Sequence, residues 1–438
     1  MIAAPIRPDR ESDLRTLLSS MNRLPGFADP NNSLVPFGRF DTLHFARFVI
    51  LKDTTLQDLD VYGVSFPDAP IYLAFLGDCD GPADRLLADV ADRAREGLRK
   101  IFGHCEGFDA NGDLLQWMRG HSVRPAVNYV NWIGRTVRQI REEAAVHEAL
   151  IRYLKGVSVD DPPHQIHSKL ARAVQEQGPR LSPEAPTPIT WYVRRLSYIV
   201  AAALAVLIIV FPLLTLPLGA ALAAYGAALL VAAVTLGAFL MVLRRHETTD
   251  PDILTPPTDE HLLELGAIQD QDVTNQYNAF GAIKPGPFRR WTMSLILWVV
   301  NLVTPILYPR GHLARVKTIH FARWVFFDDK RRLFFASNYD GSAESYMDDF
   351  VNKVPYGLNL VFSHGLGYPR TDFLLLGGAN REQEFKNAQR RHSLPTQVWY
   401  KAYPGLSLFD IERNARIRQG LEQKTMTDAD VRRWLAEI

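Results

Sequence analysis

Thr42-Leu43-His44-Phe45-Ala46-Arg47-Phe48 returns later in the chain as Thr318-Ile319-His320-Phe321-Ala322-Arg323-Trp324. The echo extends outward. Leu73-Ala74-Phe75 through Asp80-Gly81 is answered by Leu333-Phe334-Phe335 through Asp340-Gly341, Phe102-Gly103-His104 by Phe362-Ser363-His364, and His121-Ser122 by His392-Ser393. Val127, Tyr129 and Gly134 reappear as Val398, Tyr400 and Gly405. Two equivalent modules can face each other across a pseudo-two-fold axis and share one interior. The spacing between copies is constant from Asp80 to His104 and changes on either side, so insertions fall between elements, where loops tolerate them.

Each copy has the same local reading. An extended segment (Leu43 to Leu51; Ile319 to Phe327) precedes a second (Tyr72 to Leu76; Leu333 to Ser337), then Asp-Gly and a helix. Leu86, Leu87, Val90, Ala94, Leu98 and Ile101 recur at helical spacing in the first copy. Tyr346, Met347, Phe350, Val351 and Val354 do so in the second, until Pro355 stops the helix. A further extended segment follows His121 or His392, and a charged helix closes each copy near Leu150 or Leu421. Helices on one face of a short antiparallel sheet make an α+β, ferredoxin-like plait, and two such modules in one chain can form an internal pseudo-dimer.

Between the copies, Leu196 to Leu243 is almost uninterrupted apolar sequence, too long for one membrane crossing and long enough for two of about 20 residues. Thr215 to Gly219 supplies the turn. Arg194 and Arg195 precede the pair and Arg244 and Arg245 follow it, so the positive-inside bias sets both ends, and both modules, on the cytoplasmic side. A third apolar stretch, Trp291 to Tyr308, contains Asn301 and Pro305 and is flanked by Arg289, Arg290 and Arg310. It reads either as an interfacial helix or as a third span. The expected organisation is a first module (1–154), a linker (155–190), a transmembrane helical hairpin (191–245), a surface connection (246–290), the third apolar helix (291–310) and a second module (311–438).

Lys+Arg number 49 against 48 Asp+Glu, a net charge of +1 that argues against nucleic acid as a partner. Cys79 and Cys105 occur in the first copy only, which is no disulfide framework, and the first thirteen residues hold no apolar core of a cleaved signal. Walker, dinucleotide, nucleophile-elbow and His-Glu-x-x-His motifs are absent.

Candidate chemistry lies in the duplicated histidines, since imidazole can ligate iron or carry protons near neutral pH. The pairs are His44/His320, His104/His364 and His121/His392; the competing reading is a structural histidine kept in both copies. Asp80 and Asp340 are catalytic candidates beside His44 and His320, although Asp-Gly before a helix is also an ordinary turn. No metal site is expected. Successive side chains of a strand alternate, so only one of His44 and Arg47 should face a shared interior. The small Ala46 and Ala322 favour the histidine face, with Arg47 and Arg323 held by carboxylates of their own modules.

With its tandem His-Phe-Ala-Arg-aromatic stretches, Asn338-Tyr339-Asp340-Gly341, Lys284-Pro285-Gly286 and Pro404-Gly405-Leu406 leading into Ile411 to Arg418, the chain resembles a poorly characterised group of bacterial membrane-anchored proteins. More distantly, paired ferredoxin-like modules are similar to the dimeric α+β-barrel superfamily, which includes dye-decolourising peroxidases and chlorite-dismutase-like haem proteins. The arginine-flanked hairpin and the resemblance to bacterial proteins suggest the bacterial inner membrane, and two activities stay open, the second implied by the distant resemblance. One is a membrane-anchored binding or partner module holding a small or apolar ligand between its modules. The other is a peroxidase-like enzyme in which His44, His320, His104 or His364 binds haem.

Overall fold

The computed structural model describes residues 1–158, 160–307, 316–423 and 425–438. The strands, in chain order, are β1 (Ile2–Pro5), β2 (Asn22–Leu24), β3 (Phe27–Ala28), β4 (Leu43–Leu51), β5 (Tyr72–Cys79), β6 (Val127–Val130), β7 (Thr274–Ala282), β8 (Ile319–Phe327), β9 (Arg332–Asp340), β10 (Thr371–Asp372), β11 (Leu376–Gly377) and β12 (Thr396–Lys401). They form one sheet in the order β1-β5-β4-β12-β3-β2, a second in the order β6-β8-β9-β7, and the small pair β10-β11.

The two halves exchange their last strands. β6 follows the first half in sequence but pairs with β8, and β12 follows the second half but pairs with β4. The registers match: Tyr129 lies opposite Ala322 as Tyr400 lies opposite Ala46, and Val130 opposite Phe321 as Lys401 opposite Phe45. Each exchange covers a strand edge that would otherwise expose unpaired backbone groups.

Alternation along the strands sorts side chains into layers. Phe48 and Ile50 pack with Leu86, Val90 and Leu98 of the helices Ala83–Arg93 and Arg95–Phe102. Val49 and Leu51 point the other way and meet Val325, Phe327, Phe280 and Phe334 of the second sheet. The sheets therefore face each other, with helices outside. The closing helices Val137–Leu154 and Leu408–Glu422 also pack together, through pairs at matched positions: Glu143 with Arg418, and His147 Nδ1 with Asn414 Oδ1 at 2.7 Å.

Several expected boundaries change. The stretch 246–290 is not a surface connection throughout, because it contains the buried strand β7, whose Asn275, Gln276 and Asn278 hid it from a hydrophobicity reading. The 155–190 linker contains the helix Pro163–Gln177, which packs Ile166, Leu170 and Val174 against Val146, Leu150 and Trp434. Pro355 ends one helix by opening the next, Pro355–Phe362, at a position where its missing N–H is harmless.

Two helices, Ile189–Thr215 and Leu218–Thr249, are long and apolar enough to cross a membrane, and nearly all their side chains are exposed. The third apolar stretch forms the helix Pro287–Leu307; Tyr308 and Arg310 lie outside the described residues. Its buried face, which includes Met293 and Leu297, packs with Val127 and Tyr129 of β6.

Candidate functional site

Strands β4 and β8 each carry a bulge, between Leu43 and Phe45 and between Ile319 and Phe321, so His44 and His320 occupy the irregular position. A bulge resets the alternation and re-aims a side chain. His44 and Arg47 therefore both reach the other half, contrary to strict alternation: His44 packs on Phe321 and Arg47 bonds to Tyr277 and Ser337.

The histidines are held alike. His44 Nε2 lies 2.9 Å from Asp80 Oδ1, and Asp80 Oδ2 accepts the N–H of Val137 at the start of the helix Val137–Leu154. His320 Nε2 lies 2.7 Å from Asp340 Oδ1, and Asp340 Oδ2 accepts the N–H of Leu408 at the start of Leu408–Glu422. Helix N-termini favour such carboxylates through their free N–H groups and dipole. Burial pushes the Asp340 carboxyl upward, but the charge and hydrogen bond of His320, with those from Leu408 and Thr274, outweigh it and hold the group below its ordinary value. Gly81 and Gly341 follow with φ of 75° and 90°, a left-handed turn that suits glycine.

The other ring nitrogens differ. His44 Nδ1 is 3.0 Å from the hydroxyl of Tyr403. At the position matching Tyr403 the first half has Trp132, and His320 Nδ1 has no hydrogen-bond partner among the described residues. Both imidazoles line one cavity of about 30 Å³ with Asn131, Trp132, Arg135 and Tyr403. Asn131 donates to Ile319 O at 3.0 Å, while its buried Oδ1 has no hydrogen-bond partner among the described residues. Arg135 stacks on Trp132, its charge centre 4.3 Å from the ring, and pairs with Glu143; burial draws its guanidinium down to about 10.

The remaining duplicated histidines are not gathered here. His104 Nδ1 contacts Lys100 O at the end of its helix, whereas His364 is fully buried, where desolvation and then the charges of Arg289 and Lys284 keep its pKa well below the usual value. His121 stacks on Trp117 with ring centres 4.0 Å apart. His392 lies 2.9 Å from Leu366 O and packs so closely over Gly281 that a Cβ there would sit 2.5 Å from its ring.

Arg47 and Arg323 are not held by carboxylates of their own modules. Arg323 pairs with Asp78 of the opposite sheet, and Asp78 also accepts from Asn338 at 3.0 Å. Arg47 has carbonyl partners, Tyr277 O at 3.2 Å and Ser337 O at 3.1 Å, and the Asn278 side chain at 2.8 Å, with its guanidinium 4.9 Å from the Trp399 ring. The asymmetry follows from the sequence. Asp78 and Asn338 occupy matched positions opposite Phe45 and Phe321, so the first half offers a carboxylate, which Arg323 takes, where the second half offers an amide. Burial, and then repulsion from Arg323, lowers the Arg47 pKa well below its ordinary value.

Haem does not fit this arrangement. A cavity of about 30 Å³ admits one or two water-sized groups, and the Nε2 atoms of both histidines already face carboxylates. Among the described residues no group of three or more His, Cys, Asp or Glu could hold a metal ion. Sequence reading missed Asn131, Arg135, Thr274 and the Trp132/Tyr403 pair. The available signal was the matched aromatic position lying between Tyr129 and Gly134 in one copy and between Tyr400 and Gly405 in the other. No family model matches the chain, and no curated protein or solved structure matches it.

Proposed function

We propose that the protein is a membrane-anchored binding module. In this reading two ferredoxin-like plaits form an internal pseudo-dimer of the dimeric α+β-barrel type, and a small hydrogen-bonding ligand occupies the His44/His320 cavity. The observation that carries it is the convergence of both histidines, each backed by its own Asp and helix N-terminus, on a cavity where Asn131 Oδ1 is buried and unpaired. Such a cavity suits a polar group of one or two heavy atoms. An apolar ligand is disfavoured, because Val49, Leu51, Phe280, Val325 and Phe334 fill the space between the sheets. Thermal unfolding in detergent with ammonium, methylammonium, hydroxylamine or fluoride is the test. At least one should raise the midpoint of the wild type and not that of His320→Ala; indifference of the wild type to all four overturns the reading.

The hairpin would fix the module to the cytoplasmic face of the bilayer, since Arg194, Arg195, Arg244 and Arg245 flank the apolar run. Reporter fusions at residues 1 and 438 should then give the same cytoplasmic signal. Opposite signals at the two ends would exclude it.

A further inference from the structure

The helix Pro287–Leu307 and the β10-β11 turn leave apolar side chains exposed beside the hairpin. On the helix these are Trp291, Leu295, Trp298, Val299 and Ile306, 66%, 56%, 60%, 41% and 50% exposed, which recur at helical spacing along one face. On the turn, Phe373, Leu375 and Leu376 are 47%, 51% and 64% exposed, while Leu374 is buried. Phe373 and Leu374 adopt φ of 52° and 59°, unfavourable for residues with a Cβ. Glu247, just past the apolar run of the second hairpin helix, holds them there. Its buried carboxylate accepts the N–H groups of Phe373 and Leu374, both at 2.8 Å, and the Thr371 hydroxyl at 2.9 Å.

The ends of the exposed helix locate it relative to the bilayer. At its start, Phe288 stacks on His246 and contacts Phe239 near the C-terminal end of the second hairpin helix. At its other end, Pro305 and Ile306 share a cleft with Trp191, Arg194, Tyr198 and Ile199 near the N-terminal end of the first. Both contacts fall at the arginine-flanked base of the hairpin. A third span would instead carry one end toward the Thr215 to Gly219 turn. Cations border the apolar surface: Lys330 Nζ sits 4.4 Å from the Trp291 ring and the Arg244 guanidinium 5.5 Å from Phe373. Tryptophan bodies below and basic heads above are what a headgroup layer selects.

We propose that Pro287–Leu307 and the Phe373 to Leu376 turn form one lipid-docking surface, embedded at the headgroup level of the bilayer that the hairpin crosses. The surface keeps the second half lying on the membrane. The inference rests on the membrane-anchor reading, and the test separates the two. Single cysteines are placed at Leu207, Leu295, Trp298 and Leu376 of the full chain, with Cys79→Ser and Cys105→Ala, labelled with an environment-sensitive fluorophore and reconstituted into anionic vesicles. The vesicles contain lipids brominated either near the headgroup or near the chain terminus. Quenching at 295, 298 and 376 by shallow bromines, with deeper quenching at 207, is the expected result. Quenching at 207 alone overturns the docking surface and leaves the anchor, whereas no quenching anywhere overturns both. Quenching of 295 and 298 by deep bromines makes the helix a third span and also overturns the proposal.

Discussion

Arg7 and Lys284 occupy matched positions: the backbone N–H of Arg7 bonds to His104 O, and that of Lys284 to His364 O. Their surroundings diverge. In the first half Arg7 reaches Gly103 O from a partly exposed edge. In the second half the hairpin base and the helix Pro287–Leu307 cover the same edge, so Lys284 and His364 are buried near Arg289, Asp250, Asp252 and Glu247. One backbone plan thus yields a solvated edge in one copy and a desolvated ionic cluster in the other. The duplicated histidines repeat the lesson, with His44 capped by Tyr403 and His320 left open beside Trp132. Duplication preserved the scaffold, while single substitutions and added elements gave each copy its own electrostatics.

The largest test concerns Asp78 and its matched residue Asn338. Asp78→Ala leaves Arg323 buried without its carboxylate and should destabilise the fold by about 3–5 kcal/mol in denaturant titrations. Asn338→Ala removes one hydrogen bond to the Asp78 carboxylate but leaves the ion pair, and should lose about 1.5–3 kcal/mol. Equal losses would show that the two halves are electrostatically interchangeable.

Burial, and then the Arg289 charge, draws the Lys284 pKa down to about 8. An unfolded lysine titrates near about 10.4. Between those values the unfolded chain binds more protons, so stability rises as pH climbs through the window. Lys284→Met should therefore be more stable than wild type at neutral pH by about 3 kcal/mol, a gain that shrinks as the pH approaches about 10.4. The matched change, Arg7→Met, at the partly exposed edge should give no comparable gain at neutral pH, and a similar gain would erase the contrast between the edges.

The smallest effect should come from Tyr403→Phe, which removes the hydroxyl from His44 Nδ1 and should lose about 1 kcal/mol. The reciprocal change, Trp132→Tyr, offers His320 the same cap. It should abolish any shift of the unfolding midpoint by the small ligands named above; an unchanged ligand response would mean that Nδ1 of His320 plays no part in binding.

The strands bearing the repeated heptad were legible residue for residue, because nine consecutive apolar-rich positions in each copy mark Leu43–Leu51 and Ile319–Phe327. Pairing between distant strands was not legible, since nothing local in Thr396–Lys401 says that its neighbour is β4 rather than β8. Strand β7 escaped because hydrogen-bonding residues replace the alternating apolar pattern along a buried strand. The face of Arg47 and Arg323, expected within their own modules, was misjudged for a sharper reason. One bulge, invisible in the sequence, inverts the parity on which the argument stood.

The exchange of β6 and β12 sets the order of events during synthesis. The first sheet contains β12, so its β4 edge stays open until Lys401 has left the ribosome, after both hairpin helices have emerged. Through that interval an apolar strand awaits a partner several hundred residues away, a contact whose loop-closure entropy slows folding. Under the proposed anchoring, tethering at the bilayer would shorten the search, because a hairpin crossing it twice would return the second half to the surface where the first is waiting. Neither half can mature alone, and a ribosome that stalls before residue 396 releases a first half with a bare strand edge, open to aggregation and to proteolysis.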